Sequence, residues 1–448
     1  MTETTATTAT TAKTATTATT ATATTAPTIF ARRESAVRSY CRSFPTLFTR
    51  ASGATLTGAD GREYIDFLAG CSSLNYGHNH PELKQALVDY ISADGIAHGL
   101  DMYTEAKARF LEVFESRILA PRGLDYRVMF PGPTGANAVE AAIKIARKVT
   151  GRSLVISFTG GFHGMSLGAL SLTGNSAKRA GAGVELGGVA HEAYDGYFGR
   201  DVDTAAQLER KLADTSSGLD KPAAIIVETV QGEGGLNVAS DAWLRRIESI
   251  ARRHGALFII DDIQAGCGRT GGFFSFERAG VKPDVVTLAK SLSGLGLPFA
   301  LTLIRPGFDQ WAPGEHNGTF RGNNHAFVTA TRALELFWSD DRFQREVERK
   351  GEILRRRMSE IVASAGIALR VKGRGMMRGI EMADGEVAAR ICARCFDRGL
   401  VIETSGADDE VVKVLCPLNI DEAQLNAGLD ILAESVAAAD GLARKAAA

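Results

Sequence analysis

Lys290 and Asp261 are the two side chains whose neighbours set them up for chemistry. Lys290 directly follows the apolar run Val285-Val286-Thr287-Leu288-Ala289 and precedes Ser291-Leu292-Ser293-Gly294-Leu295-Gly296-Leu297-Pro298, a stretch with no other charge. Burial in such neutral surroundings disfavours an ammonium and leaves a free amine that condenses with a carbonyl, which is Schiff-base chemistry. The bland alternative is a surface lysine at a strand end. Asp261 closes a second apolar run, residues 256–260, and supplies a complementary piece. A pyridoxal phosphate ring is an electron sink only while its pyridine nitrogen is protonated, and a facing carboxylate holds that proton. The bland reading of Asp261 is a helix cap or a solvated carboxylate.

Other literal motifs carry less. Gly266, Gly268 and Gly271 make a GxGxxG, but a dinucleotide site needs a helix opening there and an acid ending the next strand. Asp284 precedes its strand instead. Gly164-Met165-Ser166-Leu167-Gly168 matches the elbow of a serine hydrolase, which is the rival enzyme class. That elbow runs straight from strand into serine, whereas Thr159 to His163 intervene here. Cys392-Ala393-Arg394-Cys395 lacks a second ligand pair and reads as helix core, and His78-Asn79-His80-Pro81 reads as a turn. No metal site is expected.

The elements that must position these residues follow from composition and period. The chain has 448 residues, 51 Lys plus Arg against 52 Asp plus Glu, a balance that excludes nucleic acid or an anionic membrane as a bulk electrostatic partner. No apolar run approaches the ~20 residues that span a bilayer, so a soluble protein is expected. The six cysteines are scattered and suit free thiols in a reducing, cytoplasmic setting. The Thr/Ala-rich residues 1–28 read as a disordered tail without the marks of a secretory signal. Strands are expected over 153–158, 223–227, 256–260 and 285–289, alternating with helices at 137–149 and from a cap at Asp241 to Gly255. Continuous apolar strands alternating with helices imply an α/β fold with a mainly parallel sheet, whose ligands sit beyond the carboxyl ends of the strands. A long helix over 344–363 and short strands at 376–380 and 411–415 then give a smaller α+β domain. The expected division is 29–80 as a lead-in, 81–323 as the large domain and 324–448 as the C-terminal domain.

In order and spacing, Asp261-Asp262-Ile263-Gln264, Gly268-Arg269-Thr270-Gly271 and Thr287-Leu288-Ala289-Lys290 resemble the signature of class III pyridoxal-phosphate aminotransferases. The likeness runs from about Ile29 through Gly77-His78-Asn79-His80-Pro81 and Gly132-Pro133-Thr134-Gly135 to the C-terminal domain. The resemblance implies the aspartate aminotransferase-like architecture, fold type I, and pyridoxal 5'-phosphate as cofactor. Within that class, Gly99-Leu100-Asp101-Met102, Phe162-His163-Gly164-Met165, residues 316–324 and Glu403-Thr404-Ser405-Gly406-Ala407 are similar to the diaminobutyrate 2-oxoglutarate aminotransferases. That family makes L-2,4-diaminobutyrate from L-aspartate 4-semialdehyde and glutamate, usually as the first step towards ectoine. Donors such as ornithine, lysine or 4-aminobutyrate, and peptide or siderophore assembly as the destination, are the alternatives within the class.

The resemblance also implies roles. Lys290 would link to the cofactor and move the proton, and Asp261 would pair with the ring nitrogen. Gln264 would meet the ring 3-oxygen, with Ile263 and Phe162 on the two ring faces. Thr134 and Gly135 would bind phosphate, and His163, Glu228 and Glu233 would lie near cofactor and substrate. Thr319 would reach the phosphate of a neighbouring subunit, so a homodimer with shared sites is implied. Related ω-aminotransferases often carry arginine where Met165 and Lys413 stand. Lys413 and Arg321 are therefore the expected contacts for the carboxylates of glutamate.

Overall fold

The computed structural model describes residues 28–447, and side chains from 29 to 439. The expected tail therefore lies outside the described residues, except for Thr28, which opens the short helix Thr28–Arg33. Among the described residues the largest sheet has seven strands, β1 Arg127–Met129, β2 Val155–Phe158, β3 Val189–Glu192, β4 Ala224–Val227, β5 Leu257–Asp261, β6 Val285–Leu288 and β7 Leu301–Ile304. Their spatial order is β1-β7-β6-β5-β4-β2-β3. All run parallel except β7, which is antiparallel to both of its neighbours. Every residue of β2, β4, β5 and β6 is buried, as continuous apolar strands covered on both faces must be.

The register sets up the chemistry. Ile259, Ile260 and Asp261 of β5 lie beside Val285, Val286 and Thr287 of β6, so Asp261 and the start of the Lys290 loop emerge at adjacent strand ends. Helix Gly135–Thr150 begins two residues before the expected Asn137, because Thr134 caps it and Asn137 answers as the third residue of a capping box. It ends at Gly151 in a left-handed conformation, and Val139, Ala142, Ile143 and Ala146 pack on the sheet. Helix Asp241–His254 is capped by Ser240, whose hydroxyl accepts from the Trp243 N–H at 3.2 Å. Asp241 was the expected cap; it is instead the first helical residue, where its carboxylate favours the helix dipole and pairs with Arg278 at 2.9 Å.

The C-terminal part holds helices Asn324–Phe337 and Arg342–Ser364 and an antiparallel sheet of Arg370–Arg374, Met377–Glu381, Val411–Val414 and Glu403–Ser405. The lead-in forms its own antiparallel strands, Phe48–Ser52, Thr55–Gly58 and Glu63–Asp66, and a strand from the far end of the chain, Leu400–Val401, completes that sheet in parallel with Glu63–Asp66. Residues 29–80 are thus welded to the C-terminal part. No described helix is long and apolar enough to cross a membrane.

Candidate active site

A cavity of about 380 Å³ opens at the carboxyl ends of the strands and is lined by Lys290, Asp261, Ile263, Phe162, Thr134 and Gly135, among others. Lys290 sits just past β6 with φ of +53°, a left-handed conformation that disfavours any residue bearing a Cβ. The following residue holds it there. Ser291 donates to the Ser72 carbonyl at 2.6 Å and accepts from the Asn75 N–H at 3.0 Å. Among the described residues no hydrogen bond or salt bridge engages the Lys290 amine, and it lines the cavity.

Asp261 is 4% exposed, and each of its oxygens has partners. One accepts from the Thr287 hydroxyl and the Ile263 N–H, both at 3.2 Å, and the other meets His163 Nδ1 at 2.7 Å. Burial alone would lower the His163 pKa, but the hydrogen bond and charge of Asp261 raise it above the usual value. Glu228 lies close by, accepting from the N–H groups of Phe162 at 2.9 Å and Gly232 at 3.2 Å, and burial pushes its carboxyl up to about 7. Asp262, fully buried beside Asp261, is likewise pushed up to about 7 by burial, against the hydrogen bonds from Ser275.

At another corner of the cavity the helix capped by Thr134 presents its first N–H groups, a ready site for an anion. A Cβ on Gly135 would lie 2.9 Å from Ile263 Cδ1, so that side chain would have to shift to admit it. Phe162 lines the cavity from the other side, with the Lys178 ammonium 5.1 Å from its ring centre.

A second wall joins the expected Gln264, Glu233 and Lys413 to residues that were given no role. Gln264 Nε2 donates to Glu233 at 3.2 Å, while its Oε1 is buried without a partner. Glu233 also accepts from Lys413 at 2.9 Å; despite the cost of burial, Lys413 and then Lys290 hold its carboxyl at about 2. Lys413 in turn pairs with Glu403 at 3.1 Å, and Glu403 accepts from the Tyr40 hydroxyl at 3.2 Å, which itself lies 2.8 Å from Cys71 Sγ. Tyr40 and Cys71 escaped the sequence reading, and Glu403 entered it only as part of a motif, without a role. The one available signal was Lys413 itself, a cation inside the buried strand Val411–Val414 that demands acidic partners.

Lys413, Arg321 and Thr319 are not among the residues that line this cavity. Lys413 is 0% exposed and pairs with Glu233 and Glu403, so in this structure its charge reaches the cavity only through Glu233. Arg321 does not line the cavity; it pairs with Asp101 at 2.8 Å. Thr319 is exposed and lies outside the cavity of its own chain. Ser166 donates to the Glu140 carboxylate at 2.7 Å, not to a histidine, so the base of a hydrolase triad is missing at its hydroxyl. The GxGxxG segment forms turns and opens no helix.

The model of the family "Aminotransferase class-III" matches residues 37–436. This chain belongs to the class III aminotransferases. Members use pyridoxal 5'-phosphate, and the seven-stranded sheet with its C-terminal α+β part is fold type I. The class III chain is 58% identical over 410 residues to a diaminobutyrate 2-oxoglutarate transaminase of Nocardia farcinica, covering 91% of this chain and 93% of the relative. It is 57% identical to one from Vibrio cholerae, covering 90% and 98%. Among solved structures, an ornithine aminotransferase from Toxoplasma gondii, described with partial occupancy of PLP, matches with a TM-score of 0.81 and 27% identity over 93% of this chain and 94% of that one. The cavity fits such a cofactor: an amine, a buried carboxylate, a helix N-terminus, a partnerless amide oxygen and a space kept open by Gly135 converge on it.

Proposed function

We propose that this class III aminotransferase moves an amino group from L-glutamate to L-aspartate 4-semialdehyde, giving 2-oxoglutarate and L-2,4-diaminobutyrate. The convergence of Lys290 and Asp261 on one cavity from adjacent strand ends carries the chemistry. The choice of substrates is supported by the 58% and 57% identical relatives. Ectoine formation in the cytoplasm is the setting that fits such a product.

Bound pyridoxal phosphate supplies an electron sink that makes the α-proton of an amino acid removable. The chain's own residues do the rest. Lys290 provides the amine that takes and returns the proton. Asp261, backed by His163, keeps a proton on the ring nitrogen. Ile263 and Phe162 would enclose the ring, Gln264 would meet its 3-oxygen, and Thr134 and Gly135 would offer backbone donors to the phosphate. Glu228 shapes the cofactor side, and Glu233, tied to Lys413, the substrate side.

The proposed assembly is a homodimer in which Thr319 serves the partner's site. In support, Leu100, Met102, Tyr103 and Phe320 are exposed apolar side chains, 49, 58, 102 and 68% accessible. The Arg321–Asp101 pair and a His98–Phe320 ring contact at 5.4 Å join their two loops into one patch, which suits burial against a second copy. Arg321 belongs to that patch, and a contact from it to glutamate would have to be made across the interface.

The test is the visible spectrum of the purified protein. Glutamate should shift the cofactor band, and aspartate 4-semialdehyde should restore it as diaminobutyrate appears. A glutamate response without restoration would overturn the substrate, and no band after adding pyridoxal phosphate would overturn the chemistry. Sedimentation of the same sample tests the dimer.

A further inference from the structure

Glu403 is an acid for which the function proposed above has no use. It lies directly opposite Lys413 in the antiparallel pair formed by Glu403–Ser405 and Val411–Val414, so both side chains leave the sheet on one face. There Lys413 is shared between Glu233 at 2.9 Å and Glu403 at 3.1 Å. Within this cluster two carboxylates share one ammonium, which leaves one negative charge in excess, offset only from the cofactor side by Lys290 acting on Glu233. Such a charge, nearly buried, is costly until a counter-charge arrives. The other Glu403 oxygen meets the Tyr40 hydroxyl at 3.2 Å and the Cys71 thiol at 3.9 Å, and neither is a cation.

The place of Glu403 says where the counter-charge comes from. It lines a cavity of about 1010 Å³ together with Tyr40 and Glu233. Glu233 also lines the cavity of Lys290, so the two spaces meet at that residue. A substrate reacting at Lys290 and extending past Glu233 carries its far end towards Glu403.

We propose that Glu403 is a specificity-determining residue that receives the α-ammonium group of the four-carbon diamino acid. The proposal rests on the substrates proposed above. Glutamate bears its single amine at the reacting carbon, and its far end is a carboxylate, which an excess acid repels. Diaminobutyrate reacts at its terminal amine and keeps an ammonium two carbons along. Burial raises the Glu403 carboxyl, Lys413 opposes that rise and Glu233 adds to it, and the net direction is upward. A proton held on Glu403 removes the excess charge and admits the dicarboxylate donor, while an ammonium in the same space displaces that proton. One side chain thus serves two substrates, one with an ammonium at its far end and one without.

The experiment compares L-2,4-diaminobutyrate with 4-aminobutyrate, which lacks only the α-ammonium, as amino donors to 2-oxoglutarate with the holoenzyme. In Glu403→Gln the preference in kcat/KM for diaminobutyrate should fall about ten- to hundredfold, the worth of a charge-assisted hydrogen bond, with the change residing in KM. The KM for glutamate should fall as well. Glu403→Asp keeps the charge and should retain part of the preference, and it provides the comparison if the glutamine variant folds poorly. An unchanged preference, or an equal loss on both donors, would overturn the assignment of Glu403 alone. If the wild-type enzyme converts glutamate but not diaminobutyrate, the substrate reading falls and this proposal with it.

Discussion

The two walls of the active site are built on different principles. The cofactor wall takes Asp261, Lys290, Glu228 and Phe162 from loops at the ends of neighbouring strands of one buried sheet, within residues 158–290. The substrate wall takes Tyr40 and Cys71 from the lead-in and Glu403 and Lys413 from the C-terminal sheet, with |i−j| of 363 between Tyr40 and Glu403. The first wall is rigid because a buried ladder fixes where each strand ends. The second depends on two distant segments meeting, and there one ammonium, Lys413, is shared by two carboxylates. On the function proposed above, reaction type belongs to the first wall and substrate choice to the second.

Four substitutions test that division alongside Glu403→Gln. Lys290→Ala should lower kcat at least about a thousandfold and abolish the cofactor's Schiff-base band, for every amino donor alike. Asp261→Asn removes the charge facing the ring nitrogen and should cost about a hundredfold in kcat, again without regard to donor. A donor-dependent loss in either variant would break the division. Glu403→Gln comes next, with its effect confined to the choice between donors.

Asp262→Asn probes the cost of burying acids behind the cofactor wall. Its carboxyl titrates near 7 in the native state against about 4 unfolded, so the native state holds a proton that the unfolded chain has already shed. Stability from this group is therefore complete below about pH 4 and is lost as pH rises to about 7. The asparagine variant should lack that fall, worth roughly 4 kcal/mol between the two limits, in urea unfolding followed across pH. The smallest effect belongs to Ser166→Ala. Its hydroxyl is exposed and bound to Glu140, so transaminase activity should change less than about twofold.

How legible each wall was follows from the same contrast. Val285 to Leu288 and Leu257 to Ile260 are continuous apolar runs, and a residue that ends such a run lies where ligands bind in an α/β sheet. Lys290 and Asp261 could be read from that rule alone. Tyr40 stands outside the strands of the lead-in and Cys71 in a short irregular turn, so no period marked either one. Lys413 was noticed for its position, but a sequence shows a cation and not the two carboxylates that fold up against it. The shift of the helix cap from Asp241 to Ser240 is a one-residue slip between two residues that both cap well.

The pairing of Leu400–Val401 with Glu63–Asp66 also bears on biosynthesis. A ribosome adds roughly 5 to 20 residues each second, and about 335 residues separate the two strands. For tens of seconds the nascent lead-in exposes an unpaired strand edge whose partner has not yet been made. The large sheet can close in that interval, since its strands lie between residues 127 and 304. A chain truncated before residue 400 should therefore complete the cofactor wall while leaving that edge open, a species suited to chaperone capture or aggregation.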